Sequence, residues 1–129
     1  RAIRTPEYLY IVNYEPNRWP AGNPETGYRN CDDSPSKSLV LDRFDRFYKL
    51  CFGKRPAEEL YRIGSDPDCI ENLVNDPALA DLKARLRSEM ESAFREEGDP
   101  RMHGDGGRIE KYPYLGERKH AYDTWLSNQ

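Results

Sequence analysis

The segment Arg18-Trp19-Pro20-Ala21-Gly22-Asn23-Pro24 places a guanidinium, an indole and an amide in one proline-rich loop. An indole can stack on the apolar face of a sugar ring, and a guanidinium grips an anion through a planar fork. Together they suit a saccharide that carries a sulfate or a carboxylate. The alternative is structural, with Trp19 and Arg18 pinning the loop against its own domain. Arg101 and His103 lie in a glycine-rich segment toward the end of the chain and carry the same anion-binding chemistry. The substrate-binding candidates are therefore Arg18, Trp19, Asn23, Arg101 and His103.

Other residue types are reactive in principle but wrongly spaced. Glu58 and Glu59 invite comparison with a general acid/base pair, yet neighbours on a strand point to opposite faces. One is expected at a solvated edge and the other as a buried partner for an arginine. Asp32-Asp33 and the pair Asp66 and Asp68 sit where turn and cap carboxylates occur. Asp99, His103 and Asp105 are spaced among glycines, but His103 has no second histidine nearby, so no metal site is assigned. Cys31, Cys51 and Cys69 show no paired C-x-x-C spacing, which argues against zinc. They allow one disulfide plus a free thiol, or three free thiols.

The elements that must position these residues are few. Tyr8 to Tyr14 is rich in aromatic and β-branched residues and reads as a strand, with Thr5-Pro6 at its start. Tyr8, Tyr10, Val12 and Tyr14 share one face, and Leu9, Ile11 and Asn13 the other. Neither face is plainly polar, so both need cover. Glu15 to Ser34 is a loop of about 20 residues, a length that is usually functional or disordered. Ser34 and Pro35 suit the cap and first turn of a helix that ends at Gly53. Val40, Phe44, Phe47, Tyr48 and Cys51 would form its apolar stripe. Glu59 to Ile63 reads as a second strand, followed by a Gly64-Ser65-Asp66-Pro67 turn. A second helix is capped by Asp76, begins at Pro77 and stops at Gly98. Its apolar side carries Leu79, Leu82, Leu86, Met90 and Phe94, and Asp81 with Arg85 and Glu91 with Arg95 are spaced as i,i+4 ion pairs. Beyond Asp99 the glycines and prolines argue against regular structure, while Tyr112, Tyr114, Leu115, Tyr122, Trp125 and Leu126 argue for a tail laid on a folded surface.

With 129 residues the chain can form one domain with a modest core. A third of the residues are charged, the net charge of −3 is dispersed, and there are 10 prolines and 9 glycines. No basic stripe points to nucleic acid. No apolar run approaches the ~20 residues that span a bilayer.

In order along the chain, several short pieces resemble one family. RTPEYLYIVNYEPNRWPAGNP resembles the strand and loop that open the last subdomain of a subgroup of bacterial type I sulfatases related to N-sulfoglucosamine sulfohydrolase (heparan sulfamidase). CDDSPSKS resembles that subgroup's Asp-x-Ser-Pro-Thr-Lys segment, with Ser36 in place of Thr. FGKRPAEELYRIGSDPDCIENL resembles its Arg-Pro-x-Glu-Glu-Leu-Tyr-Asp segment, with Arg62 in place of the usual Asp. GDPRMHG and KYPYLG resemble its closing segments. Each piece is a weak motif, and their colinearity gives the resemblance its specificity.

The resemblance implies an α+β fold: the C-terminal subdomain of an alkaline-phosphatase-like sulfatase, with a small antiparallel sheet, a packed C-terminal helix and much irregular structure. Residues 1–98 would form an incomplete sheet plus two helices, with the missing strands upstream of Arg1, and 99–129 an extended tail. The implied activity is hydrolysis of sulfate esters or sulfamates of carbohydrates, with this part completing the fold and one wall of the substrate pocket. Family members use a formylglycine, made within Cys/Ser-x-Pro/Ala-x-Arg, and a calcium ion. Cys31 is followed by Asp32-Asp33-Ser34-Pro35, with proline out of register and no arginine. Cys51 has Arg55 at the right offset but Gly53 where proline or alanine belongs, and Cys69 has Glu71 there. No catalytic residue is therefore assigned, and calcium and formylglycine are expected in a separate N-terminal catalytic domain. That domain and a sulfated saccharide are the implied partners, in a periplasmic or secreted setting. The isolated chain is expected to self-associate through its uncovered apolar surface. The alternative function is a non-catalytic module that binds a glycan or a protein.

Overall fold

The computed structural model describes residues 1–20, 34–42, 46–111 and 127–128, with backbone alone at 109 and 110. The fold is α+β. It divides into two compact units, Arg1–Tyr14 with Ala57–Pro113, and Glu15–Pro56 with Tyr114–Gln129.

The first unit is built on an antiparallel sheet of β1 (Ala2–Arg4), β2 (Leu9–Val12) and β3 (Glu58–Tyr61), in that order. The sequence reading gave two strands and placed the others upstream of Arg1. The structure adds a third strand to the two, because β1 pairs with β2 within the chain, Ile3 opposite Tyr10. Three residues whose two apolar side chains, Ala2 and Ile3, are adjacent give no period-2 signal, so β1 is made by its hairpin rather than by its own propensity. In that hairpin the Thr5 N–H donates to the Tyr8 carbonyl at 2.8 Å, and the Thr5 hydroxyl accepts from the Tyr8 N–H at 2.9 Å.

β2 and β3 align Tyr10 with Leu60 and Val12 with Glu58. Ile3, Tyr10, Val12, Glu58 and Leu60 thus share one face, and α3 (Ala80–Glu96) covers it. The expected stripe is the one used. Leu86 and Met90 are buried against Tyr10, Val12 and Leu60, with Leu79, Leu82 and Phe94 packed around them. Asp76 caps the preceding 3-10 turn, Pro77–Leu79, accepting from the Ala78 N–H at 2.9 Å. At the other end the Gly98 N–H bonds the Arg95 carbonyl and the Asp99 N–H the Phe94 carbonyl. This paired closure needs a left-handed residue, and Gly98 supplies it with φ +73°. On the exposed side Arg95 reaches Glu91 at 3.4 Å as the spacing predicts, whereas Arg85 pairs with Glu89 at 3.9 Å instead of with Asp81.

The outer edge of β3 is closed by its own chain. The Leu60 N–H donates to the Asn72 side-chain oxygen at 2.9 Å, and the Leu60 carbonyl accepts from the Leu73 N–H at 2.7 Å. The loop between is held by Asp66, whose carboxylate accepts the N–H groups of Ile70 and Glu71. Residues 99–111 were expected to lack regular structure. They form two 3-10 segments, Pro100–His103 and Gly106–Lys111. Asp99 starts the first by accepting the Arg101 N–H at 2.8 Å.

In the second unit the helix begins as read. Pro35 opens α1 (Pro35–Asp42), and the Ser34 hydroxyl accepts the Lys37 N–H at 3.1 Å. The segment to Gly53 is described as two helices, α1 and α2 (Arg46–Cys51), with 43–45 outside the described residues. The expected stripe does not form one buried seam. Tyr48 is buried and Val40 half-buried, but Phe47 and Cys51 are exposed, and Phe44 lies outside the described residues. The six residues of α2 bury Tyr48, and Phe52 one turn later, with ring centroids 6.3 Å apart. Gly53 follows at a close approach: a Cβ there would lie 2.7 Å from the Lys49 carbonyl oxygen. Cys51 and Cys69 are free thiols, and Cys31 lies outside the described residues.

Candidate functional site

The expected binding residues fall on both units. In the second unit, Arg18 is exposed with Glu15 at 3.9 Å, and half-buried Trp19 follows it. The Lys54 ammonium lies over the indole, 5.1 Å from its centroid. Lys54 has no signal in the sequence, because 35 positions separate it from Trp19. Asn23 lies outside the described residues.

In the first unit, Arg101 and His103 share the Pro100–His103 turn. His103 Nε2 is 3.3 Å from the Arg95 carbonyl oxygen, while the ring remains exposed. Arg101 is half-buried, and its Nη1 is enclosed without a hydrogen-bond partner. Asp99 is committed elsewhere, to the Arg1 guanidinium and the Arg101 N–H. The hydrogen bond from Arg1 holds the Asp99 carboxyl below its ordinary value. Asp99 is therefore not presented to a cation beside His103. Among the described residues, no group of three or more His, Cys, Asp or Glu side chains converges to hold a metal.

Glu58 and Glu59 separate to opposite faces, as adjacent strand residues must. Glu59 is buried and accepts from the Asn13 amide at 2.7 Å and from the Tyr61 hydroxyl. The expected split is not the one found: the arginine partner is the half-buried Glu58, while the buried Glu59 has the two neutral partners above and neither carboxylate stands at a solvated edge. Glu58 Oε1 accepts from the Tyr10 hydroxyl at 2.5 Å and Arg87 Nη1 at 2.8 Å, and its Oε2 lies 3.5 Å from Lys83 Nζ. The Tyr10 hydrogen bond leads in holding the Glu58 carboxyl below its ordinary value of 4.5, and Lys83 and Arg87 add to it. Burial, followed by the bond to Glu58, pushes the Tyr10 hydroxyl up. The group works as an ionic clasp between sheet and helix; neither carboxylate has the paired geometry of acid–base catalysis.

The sign of its pH dependence follows. A carboxyl depressed on folding contributes stability above its unfolded value and loses it as the pH falls through the folded value. Glu58→Gln keeps an acceptor for Tyr10 and loses the charge. We expect a loss of about 1 kcal/mol near neutral pH, modest because the clasp is partly exposed. The gap should close on acidification below the ordinary carboxyl value. Chemical denaturation of both proteins at about pH 7 and about pH 3 tests this, and a gap independent of pH would contradict it.

A shallow groove of about 310 Å³ lies between the Thr5–Tyr8 turn and Leu82, Arg85 and Leu86 of α3. None of the expected binding residues lines it. No helix among the described residues is long and apolar enough to cross a membrane.

No protein-family model matches the chain, and no solved structure matches it. The chain is similar to an ulvan-active sulfatase of Formosa agariphila, with 28% identity over 99 residues. The match covers 77% of this chain and 18% of that protein, so it spans less than a fifth of the curated relative. This similarity supports a relationship to sulfatases and so to hydrolases of sulfuric esters.

Proposed function

We propose that the chain is the C-terminal part of a sulfatase acting on sulfate esters or sulfamates of a carbohydrate, in the heparan-sulfamidase-like subgroup. Its role is to complete the fold and form one wall of the substrate pocket. The observation that carries this reading is the similarity to a sulfatase over 77% of the chain. The colinear motifs support the subgroup, and the α+β architecture is compatible with it. Under this reading Arg18, Trp19 and Asn23 of the second unit, and separately Arg101 and His103 of the first, are the residues proposed to contact saccharide. The nucleophile and its calcium would belong to a separate catalytic domain, because none of Cys31, Cys51 and Cys69 has the required motif. The setting is periplasmic or secreted.

Sequencing the gene on the 5′ side of the Arg1 codon tests this directly. The reading frame should continue without a stop through a Cys/Ser-x-Pro/Ala-x-Arg motif. A frame that ends before such a motif would contradict the proposal and favour a non-catalytic glycan-binding module.

A further inference from the structure

We propose that Trp19 and Lys54 form a subsite for a sulfated sugar ring, in which Lys54 leaves the indole to pair with the sulfate. This deepens the reading of the chain as part of a sulfatase and rests on it. Lys54 is anchored at its base and loose at its tip. On one side stands Gly53, packed too close to the Lys49 carbonyl to carry a side chain. On the other, the Arg55 guanidinium is tied to the Leu50 carbonyl at 2.7 Å. The ammonium itself is exposed, rests on the indole at 5.1 Å and has no carboxylate partner among the described residues.

The two possible contacts of that ammonium differ in strength. An exposed cation–π contact shifts an equilibrium by a factor of about 2–5. An exposed ion pair alone is worth about as much, but the same ammonium makes a charge-assisted hydrogen bond worth about tenfold once the sugar covers the indole and excludes water. A sulfate within reach therefore draws the ammonium off the ring, and the four-carbon stem allows the swing. The vacated indole face is then open to the C–H face of the sugar. Lys54, already seated on the indole face, is thereby the cation that discriminates sulfated from unsulfated sugar, and Trp19 the ring on which either stacks once the ammonium is displaced.

The test is calorimetric binding of a sulfated oligosaccharide, and of its desulfated form, to the whole protein. Lys54→Met, which keeps the stem, should lose about tenfold in affinity for the sulfated ligand and gain at most about 2–5-fold for the desulfated one, which no longer has to displace the ammonium from the indole. Lys54→Arg should restore most of the difference. Trp19→Ala should weaken both ligands. A 5-fluorotryptophan label at Trp19, assigned by its absence from Trp19→Phe, should shift on adding the sulfated ligand. Equal binding of the sulfated ligand by wild type and a folded Lys54→Met would overturn the subsite and leave the sulfatase reading standing. A wild-type protein that binds neither ligand would also overturn the subsite, while the sulfatase reading stands or falls on the upstream reading frame and on sulfate release by the whole-frame protein.

Discussion

Leu86→Ala is expected to destabilise the protein by about 2–5 kcal/mol, the range for truncating a buried leucine. Leu86 is 2% exposed and packs with Met90 on Tyr10, Val12 and Leu60, the buried heart of the first unit. Rigid strands on one side and the turns of α3 on the other limit collapse into the space left behind, which sets the cost in that range. Urea denaturation of the two proteins measures it. A change below about 1 kcal/mol would mean that the helix does not rest on the sheet through this residue.

Asn72→Ala should cost about 2 kcal/mol or more by a different route. The Asn72 oxygen accepts the Leu60 N–H at 2.9 Å and the Val74 N–H at 3.1 Å. Leu60 is fully buried, so its N–H cannot turn to water. An orphaned buried donor costs about 1–3 kcal/mol. Asn72→Asp keeps the one oxygen that accepts from both N–H groups but replaces the Nδ2 that donates to the Glu58 carbonyl at 3.4 Å with a second oxygen, so it should recover part of the loss at neutral pH. Denaturation midpoints for the pair of variants separate a lost hydrogen bond from a lost side-chain volume. Equal loss in both would show that the oxygen is not the point.

The parts of the fold that were legible in the sequence are those with a local signature. α3 declares itself by Gly98 and a five-residue apolar stripe, and the structure uses both; Asp76-Pro77 instead starts a 3-10 turn, and α3 begins at Ala80 with no side-chain cap. β2 shows through its β-branched and aromatic run, whereas β3 has no β-branched residue and runs Glu58–Tyr61, ending two residues before the expected Ile63. β1 does not show, because Ala2, Ile3 and Arg4 owe their strand geometry to the partner across the hairpin. The stripe from Val40 to Cys51 misled for a related reason. Apolar spacing predicts which residues can share a face, while burial depends on what another part of the chain brings to it, and α2 buries Tyr48 rather than Phe47 or Cys51.

Local spacing was equally limited at the candidate site. Trp19, Arg18, Arg101 and His103 stand out by residue type, and their partners do not. Lys54 over Trp19 and Arg1 on Asp99 are long-range pairings that no window along the chain contains. The opposite placement of Glu58 and Glu59 was legible, since strand alternation requires it, but the Tyr10 hydroxyl on Glu58 emerges only from the β2–β3 register.

Sulfate release is the measurement that tests the sulfatase proposal most directly. Incubate a sulfated polysaccharide and calcium with the protein expressed from the whole reading frame, and separately with residues 1–129 alone, and follow free sulfate by ion chromatography. The account predicts release by the whole-frame protein and none above background by the 129-residue chain. Release by the 129-residue chain would contradict the assignment of the nucleophile elsewhere, and no release by either would contradict the sulfatase reading itself.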